Sequence, residues 1–409
     1  MAARDGEESG ADASASLSLG VLLTVLVALG PLSTDLYLPS LPSMGEALNT
    51  DVAMVQLTLS VFIAGYAVAM LIYGPLSDRF GRRPVVAGSL LLYVAASGAC
   101  VLAPSIETLI AARFVQALGA CGGPVIGRAI VRDVHGPDRA ARVLSYMGSA
   151  MALAPAAAPI LGGYLHVALG WRANFAFLAL FGIVALLLTW RMLDETNHHR
   201  DGQALRPGRL AANYANLLRR RVFMGYALTV AFGFGGLFSW ISGSSFALIQ
   251  TVGMAPQHFG FAFAVVVLGY VLGSLASGRL STRFGVDRMV TAGGALAVLA
   301  SLAGAGLSWA GIETAAAVVL PVAVFFSGCG MLLPNGMAGA IGPFPRMAGV
   351  ASSLVGFLQM STGAVAGFMV GALHDGTTRP MTTLIAVTSL LSLASFLVLV
   401  QPRWRFSRR

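Results

Sequence analysis

Asp35 lies in the apolar run 17–38 and is the only acid well inside such a run. A charged side chain at the centre of a hydrocarbon layer costs about 2.5–3.5 kcal/mol on insertion scales, so an ionisable group kept there is a candidate functional group. Desolvation favours the neutral form of a carboxyl group, and a change in its hydration between two states would load and release a proton. Arg113 is the matching cation. If its run, 109–129, enters the membrane near Glu107, Arg113 sits about as deep as Asp35 does before the opposite-going Pro42, at about 1.5 Å per residue. Asp35 and Arg113 are therefore expected to face one cavity and to couple a proton to a change of state. The structural alternatives are a carboxylate capping a helix end that Pro39 already disrupts, and an arginine tethering its helix to the neighbours.

No other constellation supports chemistry. A membrane-embedded enzyme needs paired carboxylates or a histidine cluster within its spans. His198 and His199 instead lie in a polar stretch, and His166, His258 and His374 fall near the ends of apolar runs. Cys100, Cys121 and Cys329 are isolated, without a second ligand at metal spacing, and read as core packing. The expectation is no enzyme, no metal and no cofactor beyond a proton gradient.

The elements that must position Asp35 and Arg113 are spans. Of 409 residues 56% are hydrophobic and only 11% charged, too little charge for the surface of a soluble domain of this length. A helix needs about 20 apolar residues to cross a hydrocarbon core of about 30 Å. Twelve runs qualify: 17–38, 52–73, 85–103, 109–129, 141–165, 175–192, 222–248, 259–280, 289–309, 314–334, 349–373 and 381–400. The 49 glycines suit such helices, because small residues let neighbours approach closely.

The net charge of +9 does not point to nucleic acid, because the arginines gather in alternate loops. Arg79, Arg82, Arg83, Arg132, Arg139, Arg142, Arg200, Arg206, Arg209, Arg219, Arg220, Arg221, Arg283, Arg288 and Arg346 fall on one side, with Arg403, Arg405, Arg408 and Arg409 in the tail. The other side offers Arg172 and Arg379 beside Glu46, Asp51, Glu107, Glu313 and Asp375. The positive-inside rule then makes both termini cytoplasmic. The head is polar and net acidic, unlike the basic start of a secretory signal, so the first span is expected to remain.

The expected organisation is a cytoplasmic tail 1–16, a six-helix half 17–193, a cytoplasmic linker 194–221, a second six-helix half 222–400 and a basic tail 401–409. The halves repeat. Gly65-Tyr66, Leu71, Gly74, Leu76-Ser77, Arg79-Phe80-Gly81 and Val86 recur as Gly269-Tyr270, Leu275, Gly278, Leu280-Ser281, Arg283-Phe284-Gly285 and Val290, a constant offset of 204 (269 − 65). A parallel repeat of six spans marks carriers whose halves rock about a site near the midplane. By the same offset Asp35 corresponds to Ser239, so proton handling is expected in the first half alone.

The segment Gly74-Pro-Leu-Ser-Asp-Arg-Phe-Gly-Arg-Arg-Pro84, between the second and third spans, resembles the signature loop of the major facilitator superfamily. Its second copy, Gly278 to Gly285, has Thr282 where the first has Asp78. Ser33 to Pro42, Arg113-Phe-Val-Gln-Ala-Leu-Gly119, Arg128 to Asp133 and Gly236 to Gly243 resemble the bicyclomycin and chloramphenicol resistance (Bcr/CflA) subfamily of drug:proton antiporters. Pro155, Pro159, Gly162 and Gly163 in the fifth span are similar to the proline and glycine motif of the antiporter branch.

The resemblance implies an all-α membrane protein of twelve transmembrane helices in two pseudo-symmetric six-helix halves, the major facilitator fold. It implies a proton-coupled exporter of phenicol-type, bicyclomycin-type or related molecules in a bacterial inner membrane, expected as a monomer. Gly74, Asp78, Arg79, Gly81, Arg82 and Arg83 would form a conformational latch, with both glycines permitting tight turns and Asp78 reaching a neighbouring helix N-terminus. A drug pocket needs apolar and aromatic walls with a few polar groups. On the first, fourth, seventh and tenth spans, which line the cavity in this superfamily, the candidates are Tyr37, Gln116, Phe238, Trp240 and Asn335, with Gln56, Gln250 and Gln359 behind them. The rival reading is a carrier of a native metabolite, such as an amino acid derivative, a nucleoside or a sugar. The prolines of the fifth span favour export over uptake, and a sugar carrier would need more polar groups in its cavity.

Overall fold

The computed structural model describes residues 2–134, 137–197, 200, 202 and 207–401, so His198, His199, Arg206 and the arginines of the tail lie outside the described residues. Fourteen α-helices follow one another: α1 (Ala2–Asp35), α2 (Leu41–Ala47), α3 (Val52–Phe80), α4 (Arg82–Leu102), α5 (Ile106–Val134), α6 (Pro137–Leu169), α7 (Arg172–Met192), α8 (Pro207–Leu218), α9 (Arg221–Ser245), α10 (Pro256–Phe284), α11 (Val286–Trp309), α12 (Ala315–Ile341), α13 (Ala348–Ala372) and α14 (Arg379–Leu399). No strand occurs among the described residues.

Among the described residues eleven helices are long and apolar enough to cross a membrane, and α6 takes the twelfth place with its apolar section Leu153–Leu169. The helices α5, α6 and α10 outrun at both ends the apolar runs that announce them, and α3 does so at its far end. In a layer without water a backbone must satisfy its own hydrogen bonds, and helices do so while continuing into the polar boundary. Two differences from the expected organisation stand out. The head continues α1 as a helix from Ala2, and the linker contains α8.

Adding 204 to the ends of α3, residues 52 and 80, gives 256 and 284, the ends of α10. Gly81 and Gly285 make the same turn after these helices, with φ of 104° and 81°. A positive φ of this kind is open to glycine and costly for a residue with a Cβ. Within the first half α3, α4 and α5 pack together and α7 lies against α4. Within the second, α9 packs on α13 and α14, and α12 on α10 and α11. The halves meet along α3 with α13 and α6 with α10.

Large apolar residues remain uncovered where lipid must lie. Phe261, Val265, Leu268, Leu272 and Leu275 form an exposed stripe at helical spacing on α10. Apart from these lipid-facing residues, Val21, Thr24, Ala28 and Leu32 form a row on α1 that is exposed or half-buried, whereas everything from Ser33 to Pro42 is buried. The offset of 204 takes Thr24 and Ala28 to Leu228 and Phe232, which are also half-buried on α9. Following the arginine distribution, the end of the bundle bearing α2 is called outer.

Candidate functional site

Asp35 is the last residue of α1, where Pro39 forces the chain from α-helix into a 3-10 turn, Leu38–Ser40. It continues the α1 stripe through Ala28 and Leu32, at its closed outer end. The residue is 2% exposed and its Oδ1 has no hydrogen-bond partner. Its neighbours are engaged locally. The Ser33 hydroxyl donates to Leu29 O at 2.6 Å and meets the Tyr93 hydroxyl at 2.7 Å, and the Thr34 hydroxyl donates to Pro31 O at 3.0 Å. A buried carboxyl group with a free oxygen is what a proton-exchanging site requires.

Arg113, on α5, is fully buried. Its Nη1 donates to Gln116 Oε1 at 2.5 Å, and Gln116 Nε2 passes the chain on to Ser97 Oγ at 2.8 Å. The guanidinium carbon lies 4.2 Å from the Phe62 ring centre, 4.6 Å from that of Tyr37 and 5.8 Å from that of Phe175. Nε and Nη2 have no partner. These two donors form the side of the guanidinium that can take a carboxylate with parallel bonds.

The structure does not join Asp35 to Arg113. Ion pairs form instead at the signature loop, between Arg82 and Asp78 and between Arg82 and Asp133. The reason is local: the chain turns after Asp35, and Tyr37, two residues on, lies against the guanidinium instead.

Of the pocket candidates, Tyr37, Gln116, Phe238, Trp240, Asn335 and Gln56 are buried, whereas Gln250 is exposed and Gln359 half-buried, and the five leading ones fall into separate groups. Tyr37 packs on Phe175 with ring centres 5.3 Å apart and its hydroxyl meets Thr58 Oγ1 at 3.1 Å, so Tyr37 and Gln116 share the Arg113 cluster. Phe238 stacks on Phe234, and Trp240 on Phe263 of α10. Asn335 ties α12 to α10 by donating to Ser277 Oγ at 2.5 Å and to Met331 O within its own helix at 2.7 Å. A groove of about 470 Å³ lies elsewhere, between α11 and α12, and is apolar: Ala300, Ala303, Leu307, Ala316, Leu320 and Pro321 line it. Its place among exposed apolar side chains makes it part of the lipid-facing surface rather than a ligand site.

At the opposite end of the bundle, Arg82 is the centre of the signature loop. It bonds Asp78 at 2.6 Å, Asp133 at 2.9 Å and Ser77 Oγ at 2.7 Å. Asp78 thus faces Arg82 rather than a helix N-terminus. Gly81 makes the turn, whereas Gly74 lies inside α3 and not in a turn, and a Cβ there would meet nothing within 4 Å. Arg79 lies over the Phe80 ring at 5.2 Å, and Arg83 donates to Trp190 O at 2.9 Å.

Two partners are absent from the sequence reading. Glu195 accepts from the backbone N–H groups of Arg82 at 2.8 Å and Arg83 at 3.3 Å, capping α4, while Asn197 donates to Asp78 O at 3.0 Å at the end of α3. Burial pushes the Glu195 carboxyl up, but the N–H groups of Asn197, Arg82 and Arg83 and the nearby Arg200 outweigh it and hold the group below the usual carboxylate range. The available signal was an acid placed just after a span.

The two glycines of the antiporter-type motif lie against backbone. A Cβ on Gly162 would collide with the carbonyl of Leu36, next to Asp35, and one on Gly163 would stand 2.7 Å from Pro256 O. Pro155 and Pro159 lie within the same helix, α6.

Two six-helix halves related by one repeat and wrapped in exposed apolar side chains define a polytopic membrane carrier of small molecules. The sequence matches the Major Facilitator Superfamily over residues 23–367, and the chain belongs to that family, which is one of transporters rather than enzymes. It is 30% identical to the bicyclomycin resistance protein homolog of Haemophilus influenzae over 91% of this chain and 94% of that one. It is 31% identical to the chloramphenicol resistance protein of Pseudomonas aeruginosa (88% and 85%) and 30% identical to multidrug resistance protein D of Escherichia coli (84% and 86%). These relatives bear out the resemblance read in the sequence. Among solved structures, the D-xylose-proton symporter superposes with a TM-score of 0.74 at 12% identity over 94% of this chain and 97% of that one. The human organic anion transporter MFSD10 gives 0.71 at 19% (94% and 99%), and both establish the fold alone.

Proposed function

We propose that this transporter is a proton-coupled antiporter that exports small drug-like molecules, of phenicol, bicyclomycin or related type, by alternating access. It works in a bacterial inner membrane with both termini in the cytoplasm, as a monomer, and needs no cofactor beyond the proton gradient. The observation that carries the reading is Asp35, a buried acid with a free oxygen at the closed end of the half-buried stripe on α1. Its dry surroundings favour the protonated form, and opening to water favours release. The free Nε and Nη2 of Arg113 support a second half of the cycle, in which the deprotonated carboxylate pairs with the guanidinium. The resistance proteins to which the chain is similar support the substrate class.

The test is expression in a drug-sensitive bacterium, with accumulation of phenicols, bicyclomycin and cationic dyes followed with and without a proton uncoupler. Uncoupler-sensitive exclusion of at least one compound is expected, and Asp35→Asn should abolish it while the protein remains folded and inserted. Export at the wild-type rate by Asp35→Asn would remove the assignment of Asp35. Unchanged accumulation of every compound would point to a metabolite carrier.

A further inference from the structure

The loop after α3 is neutralised from within. Arg82 bonds Asp78 and Asp133, and Glu195 lies over Gly81 and caps the N–H groups of Arg82 and Arg83. The repeat of 204 residues shows what the second half lacks. At the matching positions stand Thr282 for Asp78, Met337 for Asp133 and Leu399 for Glu195, so all three acids are gone. The basic residues are not: Arg283 matches Arg79, and Arg279 stands where the first half has Pro75.

Arg279 and Arg283 are both exposed, and neither guanidinium has a hydrogen bond or an ion pair among the described residues. Arg283 only lies over the Phe284 ring, at 5.4 Å. Asp287, the nearest acid along the chain, is taken by the Tyr226 hydroxyl. A Cβ on Gly285 would meet nothing within 4 Å, where one on Gly81 would run into Glu195, and the first turn of α11 has no side-chain cap. The two arginines also end the exposed stripe of α10. Leu268, Leu272, Leu275, Arg279 and Arg283 follow one another at helical spacing on one face, which passes from apolar to cationic within a turn. Such a change marks the level where hydrocarbon gives way to headgroups.

We propose that this face of α10 binds one anionic phospholipid from the leaflet at the inner end, with its acyl chains along Leu268, Leu272 and Leu275 and its phosphate held by Arg279 and Arg283. The lipid phosphate supplies from outside the negative charge that Asp78, Asp133 and Glu195 supply from within the first half. A guanidinium takes phosphate as it takes carboxylate, by parallel charge-assisted bonds. A zwitterionic lipid brings a cation of its own to the same two arginines and binds more weakly. A free phosphate ion gains nothing from the stripe.

The test is native mass spectrometry of the purified protein in detergent, titrated with phosphatidylglycerol or with phosphatidylcholine of the same chains. The unaltered protein is expected to retain one phosphatidylglycerol in preference to phosphatidylcholine. Arg279→Gln with Arg283→Gln should weaken that binding about thirtyfold, the combined effect of two arginines beside an acidic lipid. Thr282→Asp keeps both arginines but restores the acid of the first copy within their reach, so it should weaken binding too, and it carries the test if the double variant fails to fold. Arg219→Gln with Arg220→Gln removes the same charge from the inner end away from the stripe and should leave the affinity unchanged. Equal retention of the two lipids by the unaltered protein overturns the proposal, and so does an equal loss in the Arg219 and Arg220 variant, since general surface charge then suffices. Displacement of the lipid by millimolar inorganic phosphate overturns it as well, because the site is then one for the free ion.

Discussion

Arg113 is held by shape as well as by charge. Its flat guanidinium is stacked against Phe62 and Tyr37 and bonded edge-on to Gln116, a geometry that the tetrahedral ammonium of lysine cannot reproduce. Arg113→Lys should therefore keep the charge, lose about 1–2 kcal/mol of stability through the unmet Gln116 oxygen, and lose uncoupler-sensitive export. Full export by a protein that melts lower would show a purely structural arginine. Glu195 makes the second prediction. Its carboxyl is held below the ordinary value of 4.5, so the stability it contributes is complete above that value and is lost as the pH falls through the depressed one. Glu195→Gln should cost about 1 kcal/mol, as helix caps do, and flatten the fall in melting temperature on acidification. Asp35 and Arg113 were legible from residue type alone, because charge inside an apolar run is costly. Their separation was not, since it depends on how the chain turns between Asp35 and Tyr37.

Among the helices, contact distance rather than composition decides which glycines matter. Gly162→Ala must push α6 away from Leu36 and should cost about 1–3 kcal/mol by overpacking, with transport falling alongside. Gly74→Ala, inside α3 and facing open space, should change the melting temperature little, within about 0.5 kcal/mol. Both glycines belong to recognisable motifs, and nothing in the sequence separates them, because the separation lies in which backbone comes to face each. The span boundaries were read with similar partial success. The run 52–73 was visible and the helix Val52–Phe80 was not, since hydropathy registers the hydrocarbon layer while Leu76-Ser77-Asp78-Arg79 continue the same hydrogen-bonded spiral beyond it. The small helix α2 and the linker helix α8 are too short or too polar to leave a signal on that scale.

The two-fold build of the molecule was the most legible feature of all, because an offset of 204 residues without gaps places α3 on α10 and Gly81 on Gly285. What repeats is the scaffold; what differs is the chemistry. Asp35 is the one buried carboxyl group among the described residues, and its counterpart in the second half is the hydroxyl of Ser239. If Asp35 is the one titrating site of the proposed cycle, it fixes the electrical bookkeeping. With one proton entering per molecule expelled, a neutral passenger leaves one net positive charge inside, and its removal draws on the membrane voltage as well as on the pH difference. A passenger bearing a single positive charge leaves no net charge, so voltage cannot help it and only acidity outside can drive it. In vesicles clamped by valinomycin and potassium, imposed voltage should therefore accelerate the export of a neutral phenicol and leave that of a monovalent cationic dye unchanged.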